Sequence, residues 1–518
     1  MKKLPLLASM LAVGTVACAQ VAKKPAKPAA STPYANGITA ADLKKHLYII
    51  AGDEMEGRET GKPGQYKAAK YIAEQFKRVG LQPGGKDGQW EQPFSLFQDT
   101  LTRSSITAGG KTYEFGNGFY SALRETVNQT LGQTAVVYAG YGITHEAQDS
   151  YKDLDLNDKI VIVADGEPMN AEGKPLIPRQ EGQQGLQLKD KLRAAANKGA
   201  RAVFLVSDRV PAMGRAGDRL RRTGLYFETM TTMEFIPNAY FISPDLASAI
   251  LGKPWSELAA SLKAGRQEAA TGQVSELVFE KGKNEIKSSN VLGILPGTDK
   301  KDEYLFITAH YDHIGIIGGK VHNGADDDGS GTVAVIEMAE AFMKAKKAGK
   351  GPRRSIVFMT VAGEEKGLLG SRYYTDNPIY PLQETVADLN IDMIGRIDAD
   401  HKKDSNYVYI IGDDKLSSDM RPISEAANEQ TKLKLDYRYN DPNDPNRFYY
   451  RSDHYMFAQH KIPIIFYFNG VHPDYHGEGD EPHKISYGLL AKRAQLVFHT
   501  AWSIANRDDR PKVDRNEK

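Results

Sequence analysis

Imidazoles and carboxylates recur at separated stations in the second half of this chain. They stand at His310-Tyr311-Asp312-His313, at Asp326-Asp327-Asp328 between Gly324 and Gly329, at Glu364-Glu365 after Gly363, at Asp392, and at His472 to His476. Such side chains hold divalent metal ions, and a carboxylate left free of metal can act as a general base. The single cysteine excludes thiolate-built sites, so any metal must be held by His and carboxylates. Each station alone has a plainer explanation. Three aspartates ahead of the helix expected over Thr332 to Lys347 suit its N-terminal dipole. Glu364-Glu365 would ordinarily be a solvated pair, and His310-x-Asp312 a surface hydrogen bond. Asp392 is harder to dismiss, because it sits in the apolar run Leu389 to Ile394, where an unpaired carboxylate is costly to bury and needs a cation.

The stations share a structural address. Apolar runs over Tyr304 to Ala309, Ser355 to Val361, Asp388 to Met393, Tyr407 to Ile411 and Ile462 to Phe468 alternate with helical stretches, which predicts a mostly parallel mixed sheet flanked by helices. Four of these runs lead into or contain the polar stations, and open α/β sheets place ligands beyond the carboxyl ends of their strands. Upstream, Thr39 and Asp42 predict a capped helix through about Ile50, and Tyr66, Ala69, Ile72, Ala73 and Phe76 a second, stopped by Gly80. Strands over Ala135 to Tyr138, Lys159 to Ala164 and Ala202 to Val206, with a helix over Leu188 to Lys198, predict a small α/β insert. The expected division is an export signal over 1–19, a flexible linker over 20–37, catalytic parts over 38–125 and 271–506 around an insert over 126–270, and a disordered tail over 507–518.

The ordered set His310-x-Asp312, Gly324 to Gly331, Gly363 to Ser371, Asn390-Ile391-Asp392-Met393-Ile394-Gly395 and Tyr475-His476 resembles the co-catalytic di-zinc aminopeptidase family, relatives of glutamate carboxypeptidase and the transferrin receptor. Met55-Glu56-Gly57-Arg58 with Thr60-Gly61 resembles that family's leading segment. Val136 to Ile143 and Lys198 to Val203 make the insert resemble a protease-associated domain. The resemblance implies two zinc ions per chain bridged by Asp327, with His310 and Asp392 completing one site and Glu365 and His476 the other. It implies that Asp312 orients His310 and that Glu364 is the general base, taking a proton from a metal-bridging water and passing it to the leaving amine. Around them, His313 and His472 are expected at the surface or behind the ligands, and Tyr475 either aids an oxyanion or packs. Ser452-Asp453-His454 is read first as a helix start, and Asn440 to Asn446 as a loop rimming the cleft. Gly477-Glu478-Gly479-Asp480 departs from the Thr-containing segment usual after the last histidine.

The 67 Lys+Arg against 66 Asp+Glu disfavour a nucleic-acid partner. Lys2-Lys3, the apolar run Leu4 to Ala17 and the small residues around Cys18 predict export to the periplasm, the medium or the bacterial cell envelope. Cleavage after Ala19 would release the chain, whereas lipidation of Cys18 would anchor it. The run is too short to span a bilayer, and no transmembrane segment is expected. Peptides are the expected partners; no oligomeric state follows. A carboxypeptidase of the glutamate type would share the metal centre, a glutaminyl-cyclase-like acyltransferase would use one zinc, and a non-enzymatic receptor would have lost ligands. Neither a Gly-x-Ser-x-Gly elbow nor a His-Glu-x-x-His helix is present.

Overall fold

The computed structural model describes residues 31–146, 148–170, 172–177, 186–210, 220–228 and 236–516, so the export signal lies outside the described residues. An eleven-stranded mixed sheet forms the centre. Its middle four strands, Arg354–Val361, Lys300–His310, Thr385–Ile391 and Ile464–Phe468, are mutually parallel neighbours. All four match predicted runs within a few residues and are continuously buried along their apolar lengths, as strands covered on both faces must be. Alternation assigns their side chains to two cores: Leu305, Ile307, Ile356 and Phe358 pack on one face, Phe306, Val357 and Met359 on the other.

The first face is covered by helices Ala40–Ile50, Pro63–Val79, Gly331–Lys347 and Tyr487–Asn506. Thr39 caps the first of these by accepting the Asp42 amide, and left-handed Gly80 ends the second. Ala69, Ile72 and Phe76 are buried as the spacing predicts, but Tyr66 is exposed, its hydroxyl donating to the Lys287 carbonyl. Short helices Leu369–Asp376 and His454–Gln459 cover the other face.

A second, six-stranded sheet contains the three strands predicted for the insert, Thr134–Tyr138, Ile160–Ala164 and Ala202–Val206, in parallel. Phe119–Tyr120 and Thr271–Val274 close its two edges, so the sheet reaches beyond 126–270 on both sides. The cores of the two sheets share a ribbon of the larger sheet that the sequence did not announce. Glu91–Ala108 and Glu276–Leu295 pair antiparallel from the main core, where Leu96 packs, to the second core, which takes Leu101, Ile106, Leu277 and Phe279. A register shift between Glu280 and Lys281 marks the passage, and there Lys281 Nζ reaches Asp99 Oδ2 at 2.7 Å and the Leu123 carbonyl at 2.6 Å.

Two segments expected to be loose are held. Within the linker, Thr32–Ala35 is helical, Tyr34 stacks on Trp502 and Ser31 Oγ meets His499 Nδ1 at 2.7 Å. The tail, expected to be disordered over 507–518, is pinned through 515 because its charges meet partners on the body. Asp508 takes Arg353 at 2.5 Å, Asp514 accepts from the Ser418 amide at 2.8 Å, and Arg354 bonds the Arg507 carbonyl.

Candidate metal centre

The carboxyl ends of the four parallel strands deliver His310, Glu364 and Glu365, Asp392, and the loop carrying His476. The helix Gly331–Lys347 is preceded by the irregular turn Ala325–Ser330, which delivers Asp327; the Asp327–Asp328 peptide is cis. The three consecutive aspartates do different things. Asp328 accepts the amides of Gly331, Met393 and His310, so the capping expected of this run belongs to it. Asp326 accepts the Gly395 amide at 2.6 Å and the Asn469 amide group at 3.0 Å. Only Asp327 is left to face the cleft.

The two oxygens of Asp327 face opposite histidines. Oδ1 lies 3.2 Å from His310 Nε2, and Oδ2 lies 3.1 Å from His476 Nε2. Around the first, Asp392 Oδ1 is 3.6 Å from His310 Nε2; around the second, Glu365 Oε2 is 3.1 Å from His476 Nε2. Donors bound to one zinc at about 2.0–2.2 Å are separated by roughly 3.3 Å in a tetrahedron, close to these spacings. His310 Nε2, Asp327 Oδ2 and Glu365 Oε1 are buried without a hydrogen-bond partner, a state that buried polar atoms rarely tolerate unless something else binds them. His310, Asp327 and Asp392 present atoms within 4.8 Å of one another, as do His313, Asp327 and Glu365. The donor set and its orphaned atoms fit divalent cations.

Charge follows the same geometry. Burial opposes the Asp327 carboxylate, but the facing imidazoles of His310 and His476 overcome it and hold its pKa well below the usual range. Burial and Asp327 oppose Glu365, yet His313 and His476 bring it down to about 2. Burial disfavours a charged His476 ring, while Asp327 and Glu365 raise it to about 10. Glu364 goes the other way: burial first, then Asp392 and Glu365, push its pKa well above the ordinary value, against the pull of His310. Its Oε2 stands 3.9 Å from His310 Nε2.

Supporting contacts account for the leading segment. Buried Arg58 donates to the carbonyls of Tyr311, Ile50, Asn323 and Gly324, tying the His310 and Asp327 loops together. Thr60 donates to Asp312 Oδ2 at 2.6 Å, and Asp312 Oδ1 accepts the Glu364 amide at 3.2 Å. His310 Nδ1 lies 3.1 Å from the Asp312 backbone carbonyl but 3.8 Å from its carboxylate, so Asp312 meets His310 chiefly through its main chain. Arg58→Met should lower stability by about 3–5 kcal/mol, since several buried carbonyls lose a donor worth about 1–3 kcal/mol each. Urea unfolding checks this, and an unchanged midpoint would contradict it.

Other stations sort themselves around this centre. His313 and His472 are both buried, which excludes the surface alternative of the two placements expected for them. His472 Nε2 lies behind the site, 3.3 Å from Asp326, because its loop turns inward beside Asp480. Asp480, in the segment that departs from the family pattern, accepts the amides of Asp326 and Asp327 and was not singled out from sequence. Asp453 precedes the helix His454–Gln459, as the helix-start reading expects, and accepts Ser371 Oγ at 2.5 Å. Tyr475 stacks on His476 and lines a cavity with Asp327, Glu364, Asp392, Phe448, Arg451 and Phe466. The Asn440 to Asn446 stretch leads into Phe448 and Arg451 of that lining; Asp441 and Asp444 border a neighbouring cavity instead.

The model of peptidase family M28 matches residues 290–501, the span that contributes all five proposed ligands. The chain carries a peptidase family M28 domain. A probable leucine aminopeptidase of Trichophyton verrucosum is 28% identical to it over 279 residues, 52% of this chain and 70% of that protein. Aminopeptidase YwaD of Bacillus subtilis is 27% identical over 284 residues, 53% of this chain and 57% of that protein. In architecture, the chain resembles the solved aminopeptidase from Aneurinibacillus sp. strain AM-1, with a TM-score of 0.53 at 21% identity, covering 94% of this chain and 100% of that one. That likeness extends past the M28 domain and concerns the fold: a large mixed sheet flanked by helices.

Proposed function

We propose that this chain is an exported di-zinc aminopeptidase that removes N-terminal residues from peptides. The observation that carries the reading is the placement of Asp327, whose two oxygens face His310 and His476 on opposite sides. His310 and Asp392 would hold one zinc and Glu365 and His476 the other, with Asp327 shared. When bound, the pair would supply Lewis acidity for water activation and for the developing oxyanion.

The chain's own residues supply the rest. Glu364, kept basic by its buried acidic surroundings, takes the proton of the attacking water on its carboxylate and delivers it to the leaving amine nitrogen. Asp312 fixes the Glu364 backbone, so the carboxylate needs no reorganisation between the two transfers. Phe448, Phe466, Phe468 and Val471 form an apolar wall that excludes water and would accept an apolar side chain. Tyr475, on the same wall, would donate to the oxyanion.

The amino-terminal pattern supports export. None of the helices among the described residues is long and apolar enough to cross a membrane. The second sheet, with its own core, supports reading the insert as a protease-associated domain.

A carboxypeptidase is the second reading, favoured by one observation: Arg451 lines the cavity as its only cation among the described residues, with Nη2 3.4 Å from Tyr475 Oη. Three carboxylates share that lining, and the relatives quoted above are named aminopeptidases, which favours the first reading. A peptide library blocked at either terminus decides between them. Acetylated amino termini should abolish cleavage and amidated carboxyl termini should not; the reverse pattern would establish the carboxypeptidase.

A further inference from the structure

Resting on the two-metal reading, we infer that His313 is a third imidazole ligand of the metal pair, joining Asp327 and Glu365 at the site that His476 completes. His313 stands fully buried just past the strand that presents His310. Its amide donates to the Arg58 carbonyl at 3.2 Å, and the residue bridges to Glu59, so the backbone cannot swing the ring outward. The ring lies against Gly324, where a Cβ would approach it to 2.5 Å at a φ of +52°; the glycine leaves room for the ring.

Neither nitrogen of this ring has a hydrogen-bond partner. A neutral imidazole carries one donor and one acceptor, and both would ordinarily be satisfied in the interior. Nδ1 lies 2.8 Å from Glu365 Oε1 and 3.8 Å from Asp327 Oδ2, and both oxygens are themselves unpartnered. Two atoms 2.8 Å apart without hydrogen-bond alignment are arranged like neighbouring ligands of one ion, which at right angles stand about 3.0 Å apart when metal–ligand distances are near 2.1 Å. His476 meets the same carboxylates from the other side, with Nε2 3.1 Å from Asp327 Oδ2 and 3.1 Å from Glu365 Oε2. Glu365 therefore offers one oxygen to each histidine. The result is unequal sites: His310, Asp327 and Asp392 at one, and two histidines with Glu365 and Asp327 at the other.

X-ray absorption spectroscopy of the zinc-loaded full-length chain tests this without relying on activity. Three histidines over two ions give about 1.5 imidazoles per zinc, whereas His310 and His476 alone give about 1.0. His313→Gln retains a hydrogen-bond donor beside Glu365 and should still lower the count to about 1.0, while weakening one of the two zinc ions more than about 100-fold in a chelator competition. Two zinc ions with about 1.0 imidazole each in the unaltered chain would overturn this inference and leave the two-metal reading intact. Uptake of fewer than two zinc ions would overturn the two-metal reading itself. Should the variant fail to fold, the spectrum of the unaltered chain decides alone.

Discussion

Glu364→Gln should keep both zinc ions and lose about 10²–10⁴-fold in kcat, the range that a positioned general base contributes. The substitution preserves shape and the Asp312-to-amide contact, which involves only the Glu364 backbone. It removes the one property the proposed mechanism asks of Glu364, a carboxylate able to accept and release a proton. Burial, Asp392 and Glu365 all raise its proton affinity, against the pull of His310. Metal analysis and kcat, measured on the same preparation, check both halves. Two bound zinc ions with undiminished turnover would remove Glu364 from the mechanism.

Asp327→Ala should have the larger effect on metal. Both of its oxygens face imidazoles, so one substitution takes a ligand from each site, and the loss should exceed the roughly 10–100-fold that removal of a mere supporting partner costs. Asp328→Ala provides the contrast. Asp328 binds three backbone amides and faces no imidazole across the cleft, so its loss should destabilise the turn without withdrawing a ligand. Zinc titrations of the two variants test the difference. Equal metal loss in both would show that Asp327 acts only by holding the turn.

Much of this was legible in the sequence because parallel strands advertise themselves. A strand buried on both faces must be an apolar run, and the polar residues that follow it are thereby located at a sheet edge. The resemblance then picked Asp327 from three adjacent aspartates; residue type alone could not have, since all three are buried and only the contacts of Asp326 and Asp328 with backbone amides set them apart. Of the two placements expected for His313, the surface one failed for a related reason. In extended chain it points opposite to His310 and Asp312, and its return to the site depends on Gly324 and Glu59, distant in sequence. Asp480 looked like a departure from a family pattern, and its purpose appears only once its loop lies against the Asp326 and Asp327 amides.

The ribbon Glu91–Ala108 with Glu276–Leu295 was hidden by composition. Where it passes between the two cores it reads Glu280-Lys281-Gly282-Lys283-Asn284-Glu285, a run with no apolar alternation to betray a strand. Its structure comes from pairing and from cross-strand bonds such as Lys281 to Asp99, which no local pattern announces. The tail was misjudged similarly, because its charges are matched by Arg353, Ser418 and Glu384 far away in the chain.

Diffraction from crystals of the zinc-loaded chain, collected on both sides of the zinc absorption edge, tests the central claim most directly. The account predicts two anomalous peaks roughly 3.5–4 Å apart, one between His310 and Asp392, the other between Glu365 and His476, with Asp327 touching both. A single peak, or peaks away from Asp327, would contradict it.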